Sequence, residues 1–518
     1  MRISTSQMFA SNIAGYQKGY SSIVKTQQDI SSGVRIHTPA DDPVGAARLL
    51  QLEQQQAQLG QYKGNLDTAK NNLLQEESVL TSMTNMLQRA RELALSAGNG
   101  SYSDIDRDSV AAELDQIQQQ LLSAMNSRDA NGQYLFGGAK SSEIPFTQNP
   151  DGSYGYAGDQ GSLDLQVSSS MRLSSNDSGW SVFENVANNA RTQTQLTAAP
   201  AGGQKATMGQ GVVGNSQSFS NYFQDGAPYV VELTSSKEYK VFSKADPSQA
   251  LATGTIDPAK STNNISFRGV DFSLGITGLS KDPNVSLDTQ LAGHQFELTT
   301  ASDKFSVSGQ NASNAQLSGG QIVNSNAYTT QFPASGISVK FTSATEYQVY
   351  AQPVSESSKP MAQGVLSGSS LTYAGVQLQV GGTPQAGDQL SVSPKSQTTQ
   401  GILDTLSNLS KALRTPVMGN ESAQFKLNES LNLAVKNIDS AMANVASTQA
   451  SIGARLNTID TLAVENESLN MTNKATQSDL RDTDMAEASS KLILQQTMLE
   501  AAQASFARVS QLSLFDKL

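Results

Sequence analysis

Residues 44–97 read VGAARLLQLEQQQAQLGQYKGNLDTAKNNLLQEESVLTSMTNMLQRARELALSA. Within them Leu52, Leu59, Leu66, Leu73, Leu80 and Leu87 stand at intervals of seven, and Ala94 continues the series. Three residues after each comes a second set: Gln55, Tyr62, Ala69, Glu76, Met83, Ala90 and Ala97. Val79, Met86 and Leu93 widen the apolar stripe in the second half. A heptad repeat held this long predicts a helix packed lengthwise against other helices. At 1.5 Å per residue it would be about 75 Å long, too long for the inside of a compact domain, so a rod is expected.

The start of that helix is legible. Asp42 is a good N-cap and Pro43 a good first residue. Asp41 and Asp42 also present two adjacent carboxyls, as an acid–base or metal pair would, but Pro43 sits where a helix start wants it, and capping is the better reading. Upstream, Phe9, Ile13, Tyr16, Tyr20, Ile23, Gln27 and Ile30 alternate in steps of 4 and 3. They form another heptad seam, which Ser31-Ser32-Gly33 stops. Downstream, Gly98-Asn99-Gly100 ends the long helix. Ser103 or Asp104 can cap a third, which carries Val110, Leu114, Ile117 and Leu121.

From about Lys140 to Gln400 the chain changes character. Ser, Thr, Gly and Asn become common and apolar residues alternate, as in Tyr229-Val230-Val231-Glu232-Leu233. Short strands and polar turns are predicted. A degenerate repeat runs through the region. Val231-Glu232-Leu233-Thr234-Ser235 and Glu238-Tyr239-Lys240-Val241-Phe242 recur as Val339-Lys340-Phe341-Thr342-Ser343 and Glu346-Tyr347-Gln348-Val349-Tyr350. Ala292-Gly293-His294-Gln295-Phe296 answers Ala386-Gly387-Asp388-Gln389-Leu390. His294 therefore reads as a turn position and not as a ligand. Trp180 reads as a core anchor.

Helical periodicity returns at Ile402, Leu406, Leu409 and Leu413 and breaks at residues 416–419. Leu431, Val435, Ile438, Met442, Val445, Gln449, Ile452, Leu456 and Ile459 then alternate 4 and 3 without a slip. The same positions become Ala463, Asn466 and Asn470, which marks a polar layer near 463–478. The last run places Met485, Leu492, Leu499 and Phe506 at intervals of seven, with Ala488, Ala502 and Val509 between them.

The expected fold class is therefore α+β and multidomain. Both chain ends form a long helical coiled-coil or bundle core, and all-β modules are inserted in the middle. The expected divisions are 1–140 helical, 141–207 a small β segment and linker, 208–317 a first β module, 318–399 a second, and 400–518 helical. Neither terminal stripe follows a tight hairpin that could supply a partner, so the two ends should pair with each other. Small and apolar residues left over would face neighbouring copies.

Composition narrows the function. The 518 residues carry a net charge of −11 and no cysteine. Lys and Arg form no block, so nucleic acid and anionic membrane are poor partners. Disulfides, thiolate metal sites and cysteine nucleophiles are excluded. The only histidines, His37 and His294, lie too far apart in sequence for a zinc-protease helix. No apolar run reaches the length of a membrane span, and residues 1–12 lack the pattern of a cleaved secretory signal. No catalytic residue, metal ligand or cofactor site is expected.

Ser31-Ser32-Gly33-Val34-Arg35-Ile36, followed by Ala40-Asp41-Asp42-Pro43, resembles the end of the first helix and the following turn in bacterial flagellins and their relatives. Ser478-Asp479-Leu480-Arg481-Asp482-Thr483-Asp484-Met485-Ala486-Glu487-Ala488, with Gln495-Gln496 beyond, resembles their last helix. The likeness covers about 1–140 and 400–518. Several stretches point away from the main filament subunit and toward the branch of the family at the hook–filament junction. These are Met1-Arg2-Ile3-Ser4-Thr5, Asn131-Gly132-Gln133-Tyr134-Leu135-Phe136-Gly137-Gly138, Ala386 to Leu390, and the ending Leu512-Ser513-Leu514-Phe515-Asp516-Lys517-Leu518. The β insert is larger than such a protein needs.

The resemblance implies a structural, non-enzymatic subunit exported without a cleaved signal through the flagellar type III apparatus. It would lie outside the cell, in the flagellum. Its implied partners are copies of itself in a ring, the first hook-associated protein on one side, flagellin on the other, and a cytosolic export chaperone at the C-terminal helix. The expected assembly seam comprises Phe9, Ile13, Tyr16, Tyr20, Ile23, Ile30, Leu52, Leu59, Leu66, Leu73, Leu80, Leu87, Leu431, Val435, Ile438, Met442, Met485, Leu492, Leu499, Phe506 and Val509. The competing readings are a flagellin proper, a surface adhesin with carbohydrate-binding β modules, and a hydrolase housed in the insert.

Overall fold

The computed structural model describes residues 5–149, 152–301, 303–310, 313, 315–333, 335–354, 358–395 and 397–515. The heptad segments are helices: α1 (Thr5–Ser32), α2 (Pro43–Ala97), α3 (Asp104–Met125), α4 (Ile402–Leu413), α5 (Glu421–Arg481) and α6 (Met485–Phe515). Asp42 starts α2 by accepting the Gly45 N–H at 2.9 Å. Asp41 serves the turn before it, accepting from the backbone of His37 and Thr38. Ser103 and Asp106 close α3 with a capping box.

The chain divides into two units. The first comprises Met1–Lys70, Leu165–Leu173 and Leu456–Leu518; the second comprises Asn71–Asp164 and Ser174–Arg455. Helices α2 and α5 contribute to both. In the first unit they run antiparallel, with Leu59, Leu66 and Ala69 buried between them. The polar layer of α5 makes specific bonds there. Asn466 Nδ2 donates to the Leu59 carbonyl and Asn473 Nδ2 to the Leu52 carbonyl, each at 2.9 Å. Gln477 donates to the Gln56 side chain at 2.8 Å. Seven residues along one helix thus meet seven along the other, and a one-residue slip would leave both amides unbonded.

In the second unit Leu73, Leu80, Met83, Leu87 and Ala90 of α2 are fully covered, as are Ile438, Val445 and Ile452 of α5. Gln449 bonds Thr81 and Arg91 bonds Asp439 across the same antiparallel seam. Helix α4 lies along α3, burying Leu406, Leu409 and Leu413 with Leu114, Ile117 and Leu121. The small β segment packs on Phe136, Phe146 and Phe183, whose rings meet edge to face at 4.8 and 5.8 Å. Trp180 is only half-buried beside them. The anchor is thus Phe183 and not the tryptophan, because the smaller ring fits between two others.

The two β modules share one plan. In the first, the order across the larger sheet is Asp246–Thr255, Glu238–Ser243, Tyr229–Leu233, Gln295–Thr300 and Thr192–Ala198. In the second it is Ala362–Val365, Glu346–Ala351, Ile337–Phe341, Gln389–Lys395 and Lys304–Gln310. All neighbours are antiparallel. A smaller sheet covers each. The repeated residues Val231, Leu233 and Val241, and their counterparts Val339, Phe341 and Val349, point into the two cores. In each module a strand that precedes the expected boundary at 208 or 318 pairs into the larger sheet. Thr192–Ala198 and Lys304–Gln310 carry no part of the repeated motif, and only their pairing to the last strand of each module shows where they belong.

His294 is fully buried. Its Nε2 accepts from the Lys205 and Ala206 N–H groups at 3.1 and 3.3 Å, and its Nδ1 lies 2.8 Å from the Leu291 carbonyl. This is the neutral tautomer acting as a loop tie. Asp388 does the same service in the second module by accepting from Gln385 and Ser313.

Leu80→Ala is expected to cost about 2–5 kcal/mol, because the side chain is fully enclosed. Leu74→Ala, at a 45% exposed position of the same helix, should stay within about 0.5 kcal/mol. Urea unfolding followed by circular dichroism measures both.

Candidate assembly surface

The two family-like motifs quoted from opposite ends of the sequence meet in space. Arg35 N–H donates to the Arg481 carbonyl at 2.7 Å, and Thr483 N–H donates to the Gly33 carbonyl at 2.9 Å. The Arg35 guanidinium donates to the Leu480 carbonyl at 2.8 Å. Gly33 takes φ +71°, a left-handed conformation that ends α1 and turns the chain toward this junction. Lys25 pairs with Asp41 on the same knot. That pairing, with the Thr38 bonds, holds the Asp41 carboxyl well below the usual carboxylate range.

From this knot α1 and α6 run side by side. Thr26 Oγ1 donates to Gln495 at 2.9 Å, and Tyr16 bonds the Ala502 carbonyl. The Tyr16 and Phe506 rings meet at right angles, 5.6 Å apart. Gly19 is the point of close approach: a Cβ there would sit 3.7 Å from Leu499. Beside it a groove of about 600 Å³ is lined by Gly15, Gly19, Ser22, Met498, Leu499 and Ala502, among others.

The expected seam residues separate into distinct groups. On α2, Leu59, Leu66, Leu73, Leu80 and Leu87 are buried and Leu52 is half-buried. On α5, Leu431 and Ile438 are buried, with Val435 and Met442 half-buried. On α6, Leu492, Leu499 and Phe506 are half-buried, and Met485 is exposed. On α1, Ile23 is buried and Tyr16 and Ile30 are half-buried, but Ile13 and Tyr20 are exposed at 42% and 65%. The side chains of Phe9 and Val509 lie outside the described residues. The face of α1 turned to α6 is the line Asn12, Tyr16, Gly19, Ile23, Thr26 and Ile30. It shares every second position with the expected seam. Small and polar Gly19 and Thr26 take the alternate places because they let the backbones approach. Ile13 and Tyr20 stay outside this packing. The signal was present in the seven-residue spacing of Asn12, Gly19 and Thr26, which an apolar count passes over.

Residues 3–141 match the bacterial flagellin N-terminal helical region, and residues 435–517 the flagellin C-terminal helical region. Both helical ends of the chain are thus similar to the corresponding ends of bacterial flagellins. The chain is 37% identical over 190 residues to flagellar hook-associated protein 3 of Salmonella typhimurium, a stretch that covers 37% of this chain and 59% of that protein. It is 27% identical over 165 residues to a flagellar filament 41 kDa core protein of Borreliella burgdorferi, covering 32% of this chain and 46% of that one. A crystal structure of hook-associated protein 3 from Legionella pneumophila superposes with a TM-score of 0.47 at 22% identity, over 83% of this chain and 98% of that chain. Among the described residues no helix is long and apolar enough to cross a membrane.

The flagellin-like ends thus expose one side of a two-helix layer. Gly19→Ala should be tolerated, since its Cβ has room, whereas Gly19→Leu should force α1 from α6. Hydrogen exchange at residues 12–30 and 492–506 reads the difference, with protection lost only in the leucine variant.

Proposed function

We propose that this chain is a structural subunit of the bacterial flagellum that forms the junction between hook and filament, an adaptor ring on which flagellin assembles. The observation that carries the reading is the match to a hook-associated protein 3, which is longer and more similar than the match to the filament protein. It is supported by the exposed face of the terminal helices. Ile13, Tyr20 and Val24 on α1, and Ile493, Leu494 and Met498 on α6, are 42–65% exposed. Apolar surface of this extent on paired helices calls for a covering partner, and in this reading neighbouring copies supply it.

The partners are other copies in the ring, the first hook-associated protein on the hook side and flagellin on the filament side. A cytosolic chaperone holds α6 before export, and export through the flagellar type III apparatus leaves the N-terminus uncut. The subunit works outside the cell and catalyses no reaction. Its chemistry is apolar seam packing, with amide-to-carbonyl bonds fixing register.

Deleting the gene and imaging the cells by electron microscopy tests the reading. Hooks without filaments, with flagellin lost to the medium, are expected. Hooks without filaments and no flagellin in the medium would make this chain the filament subunit itself, and intact filaments would refute both. A finer test places Asp at both Leu499 and Phe506. Each apolar side chain is worth roughly 1.5–3 kcal/mol when fully buried, and a buried unpaired charge costs more. Assembly should be blocked while the β modules stay folded by circular dichroism; normal filaments on such cells would exclude α6 from the seam.

A further inference from the structure

Glu76 breaks the pattern of the long seam. It stands on the inner line of α2, between Ala69 and Met83, and is fully buried. Neither carboxyl oxygen has a hydrogen-bond partner of good geometry. The charged groups that act on it come from two other elements of the same unit. Asp177, half-buried in the segment 174–178, acts on Glu76 through both its carboxyl and its backbone N–H, and Arg455 acts on it from α5. Arg455 is already spoken for, since it pairs with Asp177 and donates to the Ser174 carbonyl at 3.2 Å. On the α3 side, Arg128 lies over the Tyr134 ring at 4.3 Å and bonds that residue's hydroxyl.

Charge accounting then leaves one state that fits. With Glu76 ionised, two carboxylates share one guanidinium around a carboxyl that has lost its water, and only the backbone N–H of Asp177 is left to face the surplus negative charge. With Glu76 protonated, the site is neutral. Its O–H supplies the donor that the facing Asp177 carboxylate can accept, in a short carboxyl–carboxylate bond. The segment that this bond would hold is itself built as a tie. Asn176 donates to the Gly138 carbonyl and accepts from Leu163, and Ser175, Asn176 and Ser178 are all buried.

We propose that Glu76 carries a proton in the folded chain, and that losing it loosens segment 174–178 against α2, so that the three side chains act as a latch opened by alkali. Burial pushes the Glu76 carboxyl well above the ordinary carboxylate range, the charge of Asp177 adds to this, and Arg455 opposes it. Because the folded value is raised, the latch contributes its full stability below the unfolded value and loses it as pH rises through the folded value.

Trp180, the only tryptophan in the chain, lies three residues from Asp177 and reports on the latch directly. Its emission and acrylamide quenching are followed in the full chain from about pH 6 to about pH 9.5, below the ordinary tyrosine range. The wild type should show a reversible one-proton transition to a more quenchable tryptophan, with far-UV dichroism unchanged. Glu76→Gln, which keeps a donor and removes the charge, should abolish that transition. Coincident curves for the two proteins would overturn the proposal. Should the variant fail to fold, a wild-type emission and quenching profile that is flat across the range would overturn it alone.

Discussion

The antiparallel seam between α2 and α5 is the constraint on which the rest of the structure depends. A heptad stripe fixes which side of each helix is covered, but apolar side chains slide past one another at little cost. Direction along the seam is set by polar groups instead. In the first unit, Asn466 and Asn473 bond the Leu59 and Leu52 carbonyls. In the second, Thr81 with Gln449 and Arg91 with Asp439 keep the same antiparallel sense. The one exposed ion pair among these, Arg91 with Asp439, adds little stability. The buried amides matter more, because a shifted register would strand them without partners.

That seam also explains why residues so distant in sequence form one junction. Once α2 and α5 run antiparallel, the turn after α1 and the turn before α6 are brought to the same end of the first unit. Gly33, Arg35, Arg481 and Thr483 then exchange backbone bonds, and α1 and α6 leave together as a pair. A two-helix layer can bury only one stripe of each member. The apolar residues on the other sides are left for whatever the subunit assembles with, and the proposed junction role uses that surplus.

The β modules answer a different problem. Each closes its own core with two small antiparallel sheets, and each repeats the other's strand order. At the matched turns Arg268-Gly269 and Ala374-Gly375 all four residues take positive φ, which strand twist demands of a two-residue hairpin. At the matched tie positions the chemistry differs while the task is kept: a neutral imidazole in one module, a carboxylate in the other. Divergence has been free to change the group so long as it satisfies the buried backbone N–H groups facing it.

The sequence by itself determined the helices, their caps and the faces they bury, because a seven-residue apolar period and an Asp-Pro start are local signals. It also determined the internal repeat, since equivalent core positions keep their apolar character in Val231 and Val339 or Val241 and Val349. The tertiary structure decided the rest. Which line of α1 meets α6 depended on Gly19 and Thr26, whose value lies in being small where a partner backbone approaches. Where each β module begins depended on a strand that pairs with one a hundred or so residues away. The surroundings of Glu76 depended on three segments meeting. In sequence it is one more polar residue on a seam, and only the folded packing removes its water and sets it beside Asp177 and Arg455.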